Sequence, residues 1–171
     1  MSEKLFAGKA IKLGDNISTD HIIPGRFTYL RSNLPELAKH VLEDTLPDFT
    51  SRVREGDVVV AGSNFGLGSS REHAPVVIKM AGISIILVKS VARIFFRNAI
   101  NQAMPVLLCD TDKINDGDEL EIKLAESKVI DHSNGVILDT SRMPPLMSAI
   151  VAEGGLIPYI QHHQDFVCEQ L

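Results

Sequence analysis

Residues 64–73, with the sequence NFGLGSSREH, place two hydroxyls and a guanidinium in a glycine-rich turn. Glycine lets the backbone approach an anion closely, and a helix N-terminus adds roughly half a positive charge. An adjacent arginine would stabilise the alkoxide of Ser69, which would let this serine remove a proton from carbon. Arg71 would hold a carboxylate through two parallel hydrogen bonds. The stretch therefore predicts a carboxylate site in which Ser69 is the candidate base and Gly68 and Ser70 are candidate contacts.

The same spacing also has a purely structural interpretation. Ser69 and Glu72 stand three residues apart, as the two members of a capping box at a helix N-terminus do. A cap would account for these two residues, but it would not account for Ser70 and Arg71 beside them. A P-loop is excluded because no lysine follows the glycines, and a serine hydrolase is disfavoured because the G-x-S-x-G pattern is absent.

Two further tracts carry polar residues that suit the same ligand. Thr19, Asp20 and His21 interrupt an apolar run ahead of a Pro-Gly turn, and Arg31 lies at the centre of a short loop. Ser, Thr and Asp also satisfy turn backbones unaided, so function and turn chemistry both remain open for the first tract. If the three tracts converge, their two guanidiniums suit a substrate with two carboxylates.

The elements that must position these tracts alternate between strand and helix. Strands are predicted at 5–13, 58–61, 83–88, 105–109, 120–124, 129–130 and 136–138. Helices are predicted directly after the glycine-rich turn and at 34–44, 91–103 and 144–153. The strand, helix and strand around the turn favour a parallel pair, whereas Asn134-Gly135 favours a hairpin. We expect an α/β fold with a mixed sheet and surrounding helices, formed by a single domain over residues 1–171.

Composition excludes several classes of function. The 171 residues include 17 Lys and Arg against 22 Asp and Glu, and a net charge of −5 is the wrong sign for holding nucleic acid by its phosphates. No apolar stretch approaches the roughly 18 residues of a membrane span, so we expect a soluble, cytoplasmic protein. Cys109 and Cys168 are interpreted as reduced structural thiols. His162 and His163 resemble half of a metal site, but no acidic or cysteine ligands cluster with them in the sequence, so no metal is predicted on this chain.

Three separated motifs resemble one known family. Residues 15–22 (DNISTDHI), 68–73 (GSSREH) and 89–94 (KSVARI) occur in the order found in the swivelling domain of the aconitase superfamily. The similarity extends over most of the chain. A free-standing chain of this length resembles the small subunits of 3-isopropylmalate dehydratase, homoaconitase and the methylmalate-type hydro-lyases. The resemblance implies a layered β/β/α fold and a separate large subunit, which carries a 4Fe–4S cluster on three cysteines.

The resemblance also implies roles for individual residues. Ser69 would abstract the proton, Ser70 and Arg71 would bind the substrate, Asp20 would lie in the active site and Arg31 would grip a carboxylate. The cluster iron of the partner would act as a Lewis acid for departure of the hydroxyl. The reaction implied is elimination of water from a hydroxy di- or tricarboxylate and its re-addition at the neighbouring carbon. Without its large subunit this chain would be inactive.

The substrate and the class of function stay open at this point. In the family, an apolar residue in the loop of Arg31 would suit an isopropyl group, whereas an arginine would suit the added carboxylate of homoaconitate. Isopropylmalate, and with it leucine biosynthesis, is favoured; homoaconitate or a methylmalate is the alternative. In another class of function, the turn binds a carboxylate metabolite without catalysis. RNA binding is disfavoured by the net charge of −5.

Overall fold

The computed structural model describes residues 5–163, which form a seven-stranded sheet flanked by helices. The strands are β1 (Leu5–Lys12), β2 (Val58–Val60), β3 (Ile85–Val88), β4 (Val106–Leu108), β5 (Glu119–Lys123), β6 (Lys128–Asp131) and β7 (Ile137–Asp139). The helices are α1 (Thr19–Ile22), α2 (Leu34–Ala38), α3 (Phe49–Arg52), α4 (His73–Met80), α5 (Arg93–Asn101), α6 (Pro145–Ala152) and α7 (Leu156–His163). Two 3₁₀ helices span Gly25–Ser32 and Thr111–Lys113.

The sheet changes from parallel to antiparallel at β1. Its strand order is β4-β3-β2-β1-β5-β6-β7, in which β1 to β4 pair in parallel and β1, β5, β6 and β7 pair antiparallel. The parallel half contains the predicted strand, helix and strand, since α4 connects β2 to β3. The predicted hairpin is also confirmed, because β6 pairs with β7 and Gly135 between them has a φ of +77°.

Alternate residues of the parallel strands face two separate cores. Val59 packs in a cluster with helix residues such as Val77 of α4. Val58, one position earlier, packs in a second cluster with Ile122 and Val129 of the antiparallel strands. Because successive strand side chains point to opposite faces, the helices cover one face of the parallel strands and the antiparallel strands cover the other. This layering confirms the expected α/β fold of β/β/α type.

The predicted helix at 34–44 is wrong in its second half. α2 ends at Ala38, and Leu42 has a φ of +58°, which is outside the range of a right-handed helix. The Leu42 N–H instead donates to the Ile22 carbonyl at 2.9 Å, which joins this turn to the end of α1. Val41 and Leu42 are fully buried, so the apolar spacing that suggested a longer helix reflects burial of a turn.

The short helical segments were not predicted. α1 and α3 have four residues each, too few for a helical period to show, and the Gly25–Ser32 helix buries no side chain that would mark it as amphipathic. Gly154 and Gly155 do end α6, but both have positive φ and the chain turns there into α7. Among residues 5–163, no helix combines the length and the apolar character that a membrane span requires.

Candidate active site

The glycine-rich turn lies between the two other motifs that the sequence singled out. Backbone hydrogen bonds connect it to residues 90–92 on one side and to residues 17–19 on the other. On the first side, the Phe65 N–H donates to the Ser90 carbonyl at 3.0 Å and the Ala92 N–H donates to the Phe65 carbonyl at 2.9 Å. On the other side, the Gly66 N–H donates to the Ile17 carbonyl at 2.7 Å and the Thr19 N–H donates to the Leu67 carbonyl at 2.9 Å. The three motifs follow the carboxyl ends of β1, β2 and β3, which is the edge where open α/β sheets bind ligands.

Thr19 places a buried hydroxyl against the candidate base. Thr19 is 1% exposed, and its Oγ1 lies 3.3 Å from Ser69 Oγ and donates to the Ser69 carbonyl at 3.2 Å. Gly68 has a φ of +105°, and a Cβ there would stand 3.3 Å from Thr19 Oγ1. A side chain at position 68 would therefore be strained and would crowd the two hydroxyls. The fold thus brings Thr19, Gly68 and Ser69 together.

Arg71 and Asp20 form an ion pair beside these hydroxyls. Arg71 Nη2 contacts Asp20 Oδ1, and Arg71 Nη1 donates to the Ile23 carbonyl at 2.6 Å. The two contacts fix the plane of the guanidinium. A guanidinium has five N–H donors, so further donors of Arg71 are available to a substrate carboxylate.

A cleft of about 290 Å³ opens beside Arg71. Its walls combine polar and charged residues with two apolar ones: Thr28, Arg31, Ser70, Arg71, Glu72 and His73, with Ile23 and Leu37. Arg31 and Arg71 therefore share one cleft, whereas Thr19, Asp20 and His21 are not among its walls. In the part of the chain that the structure describes, no hydrogen bond or ion pair engages the Arg31 guanidinium. Ser69 is not among the cleft walls and lies on the Thr19 side of the turn.

The 3₁₀ helix that carries Arg31 is fastened to the segment after α2. Arg26 donates to Asp44 at 2.6 Å and to Glu43 at 3.1 Å, and the Phe27 ring stacks on the His40 ring with centroids 3.9 Å apart. The hydrogen bond from Arg26 holds the pKa of Asp44 below its usual range. The hydrogen bond with His40 does the same to the pKa of Glu43. Both carboxylates are therefore ionised near neutral pH and hold this helix at the cleft.

The alternative interpretation of Ser69 and Glu72 as a capping box is wrong. α4 begins at His73, and Glu72 is its N-cap without a side-chain hydrogen bond. Ser69 is four residues ahead of the helix, where the helix dipole is weaker because it falls off within one turn. A capping box forms at α1 instead: Ser18 Oγ accepts from the His21 N–H at 3.1 Å, and His21 Nδ1 accepts from the Ser18 N–H at 3.0 Å. The imidazole of His21 thus has a local structural role.

His73 is a cleft residue that was not predicted from the sequence. It is the first residue of α4, is half-buried and lines the cleft with Arg71. The sequence did contain a signal for His73, because it is the last residue of the motif at 68–73. A polar residue at the start of a helix is common for structural reasons, however, so His73 could be explained by the helix without a role in the cleft.

Two sequence predictions concern residues away from the cleft, namely the cysteines and the histidine pair at 162 and 163. Burial raises the pKa of the Cys109 thiol to about 12, so this cysteine stays protonated, as suits a structural thiol. Cys168 lies outside the described residues. The expectation that no acidic residue clusters with His162 and His163 is wrong, because Glu153 contacts both imidazoles.

Known proteins resemble this chain over nearly its whole length. A family model described as the aconitase C-terminal domain matches residues 28–110. The 3-isopropylmalate dehydratase small subunit 2 of Archaeoglobus fulgidus is 55% identical over 160 residues, which cover 94% of this chain and 97% of that protein. The small subunit 1 of the same enzyme in Thermotoga maritima is 52% identical over 163 residues, which cover 95% of this chain and 98% of that protein.

A solved structure agrees with the sequence comparison. The crystal structure of a 3-isopropylmalate dehydratase from Methanocaldococcus jannaschii matches with a TM-score of 0.90 at 41% sequence identity, covering 94% of this chain and 96% of that chain. Fold, motif order and sequence identity therefore agree along both chains. This chain belongs to the small-subunit family of the 3-isopropylmalate dehydratases, within the aconitase superfamily.

Proposed function

We propose that this chain is the small subunit of a two-subunit hydro-lyase that interconverts 2-isopropylmalate and 3-isopropylmalate by dehydration and rehydration, as a step of leucine biosynthesis. The observation that supports this most directly is the Thr19 to Ser69 hydroxyl pair, held beside an oriented guanidinium. A module that only binds carboxylates needs the guanidinium of Arg71 but does not require a hydroxyl pair next to it. The names of the relatives support the same reaction.

Ser69 is the base in this proposal. Its side chain is exposed to an incoming substrate, and Thr19 Oγ1 lies 3.3 Å from its Oγ. Proton abstraction from carbon needs the alkoxide form of Ser69, and in that form its oxygen accepts a hydrogen bond from the Thr19 hydroxyl. A hydrogen bond to the charged form favours that form. When water adds back, Ser69 returns the proton to the carbon that loses the hydroxyl in the overall reaction.

The substrate carboxylates bind to Arg71 and Arg31. Asp20 and the Ile23 carbonyl orient Arg71, and Arg31 reaches the same cleft from the fastened 3₁₀ helix. The cleft also has two apolar walls, Ile23 and Leu37, which suit an isopropyl group. In this assignment Arg31 binds one of the two carboxylates of isopropylmalate, and not the added carboxylate of homoaconitate that an arginine in this loop would also suit. The apolar walls favour isopropylmalate over homoaconitate, which has three carboxylates.

The 4Fe–4S cluster of the reaction belongs to the large subunit. A cluster held on three cysteines needs more thiolates than this chain offers, since it has two cysteines and burial keeps Cys109 protonated. On the partner, the cluster supplies Lewis-acid chemistry to the departing hydroxyl. The relatives are named small subunits, which supports a heteromer with the active site completed between the two chains. We also predict that residues 1–171 form a single domain and that the complex is cytoplasmic.

The proposal is tested by reconstituting this chain with its large subunit and assaying isopropylmalate, homoaconitate and a methylmalate in parallel. We expect the highest kcat/KM with isopropylmalate and no turnover by the isolated chain. Activity confined to homoaconitate or a methylmalate would remove the substrate assignment. Carboxylate binding without turnover of any substrate would favour the binding module.

A further inference from the structure

The joint between α6 and α7 brings three metal-binding side chains together, outside the cleft. Glu153 Oε2 lies 3.1 Å from His162 Nδ1, and Glu153 Oε1 contacts His163 Nε2. One ligand atom from each of the three residues lies within 4.8 Å of the others. We propose that Glu153, His162 and His163 bind a divalent transition-metal ion of the zinc class, which clasps α7 to the end of α6.

The backbone between the two helices is built to hold this arrangement. Glu153 follows the last residue of α6, and Gly154 and Gly155 then reverse the chain with φ of +91° and +127°. A Cβ at Gly155 would stand 2.5 Å from the Asn101 carbonyl oxygen, so any other residue would push α7 away from α5. This close turn allows the last turn of α7 to reach Glu153.

The His163 imidazole is held in place by packing before an ion arrives. Tyr159 is 2% exposed, and its ring stacks on the His163 ring with centroids 4.5 Å apart. The His162 ring lies next to it, with a centroid distance of 5.1 Å. A side chain that is already ordered loses less conformational entropy on binding a ligand. The core residue Tyr159 therefore pre-organises one of the two nitrogen ligands.

The ligand atoms select the class of ion. Imidazole nitrogen suits Zn²⁺, Ni²⁺ and Cu²⁺, whereas Mg²⁺ and Ca²⁺ prefer oxygen ligands. Zinc bonds of about 2.0–2.2 Å place tetrahedral ligand atoms roughly 3.3 Å apart. The separation of Glu153 Oε2 and His162 Nδ1, 3.1 Å, is close to that value, whereas Glu153 Oε1 and His163 Nε2 lie closer together and would have to move apart around an ion. Because the side chains of His162 and His163 are 78% and 37% exposed, water can complete the coordination.

Two other contacts between histidine and glutamate provide a comparison. His132 Nε2 lies 2.8 Å from Glu121 Oε2, and His40 Nδ1 lies 2.6 Å from Glu43 Oε2. In each of these, one imidazole meets a carboxylate whose other contact is a basic side chain, Lys123 for Glu121 and Arg26 for Glu43. Over residues 5–163, the Glu153 cluster is the place where three potential ligands converge. A carboxylate can also accept hydrogen bonds from two imidazoles, so it is the convergence of three ligand residues that makes this cluster a candidate site.

The test is a titration of the purified full chain with zinc chloride, followed by isothermal titration calorimetry. A Cys168→Ser background keeps the C-terminal thiol from contributing. We expect this parent to bind Zn²⁺ stoichiometrically, and we expect Glu153→Gln and His162→Asn each to weaken binding by roughly tenfold or more. His132→Asn is the matched control and should leave the affinity unchanged. Zn²⁺ should raise the Tm of the parent and of this control, but not that of His162→Asn.

Two results would overturn the proposal: no stoichiometric uptake of Zn²⁺ by the parent, or equal affinities of the parent and His162→Asn. The side chain of His162 is 78% exposed, so its substitution removes little packing and the variant should fold. The titration needs neither the large subunit nor turnover. Its outcome is therefore independent of the proposed hydro-lyase function.

Discussion

The contact between Thr19 and Ser69 predicts a specific defect for Thr19→Val in the reconstituted enzyme. Valine has nearly the shape of threonine, so at this buried position the substitution removes a hydroxyl without opening a large cavity. Valine cannot form the interactions of Oγ1 with Ser69 Oγ at 3.3 Å and with the Ser69 carbonyl at 3.2 Å. Once Ser69 is an alkoxide, only the Thr19 hydroxyl can donate, so in that state the two contacts share one proton and count as a single hydrogen bond.

The size of the defect follows from the charge that Ser69 acquires. A neutral hydrogen bond contributes about 0.5–1.5 kcal/mol, and one to a charged group about 1.5–3 kcal/mol. Only the difference between the two states changes the rate, and this difference is about 1–1.5 kcal/mol. Since about 1.4 kcal/mol corresponds to a factor of ten, kcat should fall about five- to twelvefold. KM should change little, because Thr19 does not line the cleft.

Steady-state kinetics of Thr19→Val and Thr19→Ser, each assembled with the large subunit, measure this effect. Serine keeps the hydroxyl, so Thr19→Ser should recover most of the wild-type kcat. An unchanged kcat in Thr19→Val would rule out a hydrogen bond from Thr19 to the alkoxide of Ser69. An equal reduction of kcat in both variants would assign the effect to the methyl group and its packing, and would also contradict the positioning role.

Three other predictions concern the cleft, the thiol and the fastened 3₁₀ helix. Arg31→Ala should raise KM about 10- to 150-fold, with a smaller effect on kcat, because the variant loses one charged hydrogen bond to the substrate. An unchanged KM would contradict the assignment of Arg31 to a substrate carboxylate. In a Cys168→Ser chain, native Cys109 should resist iodoacetamide at pH 8 because burial raises its pKa to about 12, and rapid labelling would contradict this. The lowered pKa of Asp44 means that the stability from its pair with Arg26 is present above about pH 4 and is lost as the pH falls through that lowered pKa. Acid unfolding of Arg26→Ala should lack this pH-dependent loss.

The fold class could be predicted from sequence because the strands carry strong signals. The buried runs at β2 and β3, the alternation in β5 and the Asn-Gly turn before β7 each indicate a strand and its environment. The tracts at 19–21 and 64–73 each follow a parallel strand, which agrees with their meeting at one edge of the sheet. Arg31 follows α1 instead, so its place at the cleft had no such basis. Short helices such as α1 could not be predicted, because their few residues show no periodicity.

The contacts within the site could not be predicted from sequence. Thr19 and Ser69 are 50 residues apart, and their hydroxyls meet through backbone bonds that no local pattern encodes. The spacing of Ser69 and Glu72 was also compatible with a cap, but α4 begins only at His73, and Ser69 lies ahead of it in contact with Thr19. Glu153 reaches His162 and His163 because the chain reverses at two glycines that the sequence marks only as a helix end.

The turnover of Ser69→Ala in complex with the large subunit tests the proposed mechanism at its reacting atom. If Ser69 is the base, kcat should fall by about 10²- to 10⁴-fold, the contribution of a positioned general base, while assembly and folding stay intact. Ser69 forms no part of the buried core, so the substitution should leave the Tm of this chain nearly unchanged. Turnover equal to that of the wild-type enzyme would contradict the assignment of Ser69 as the base.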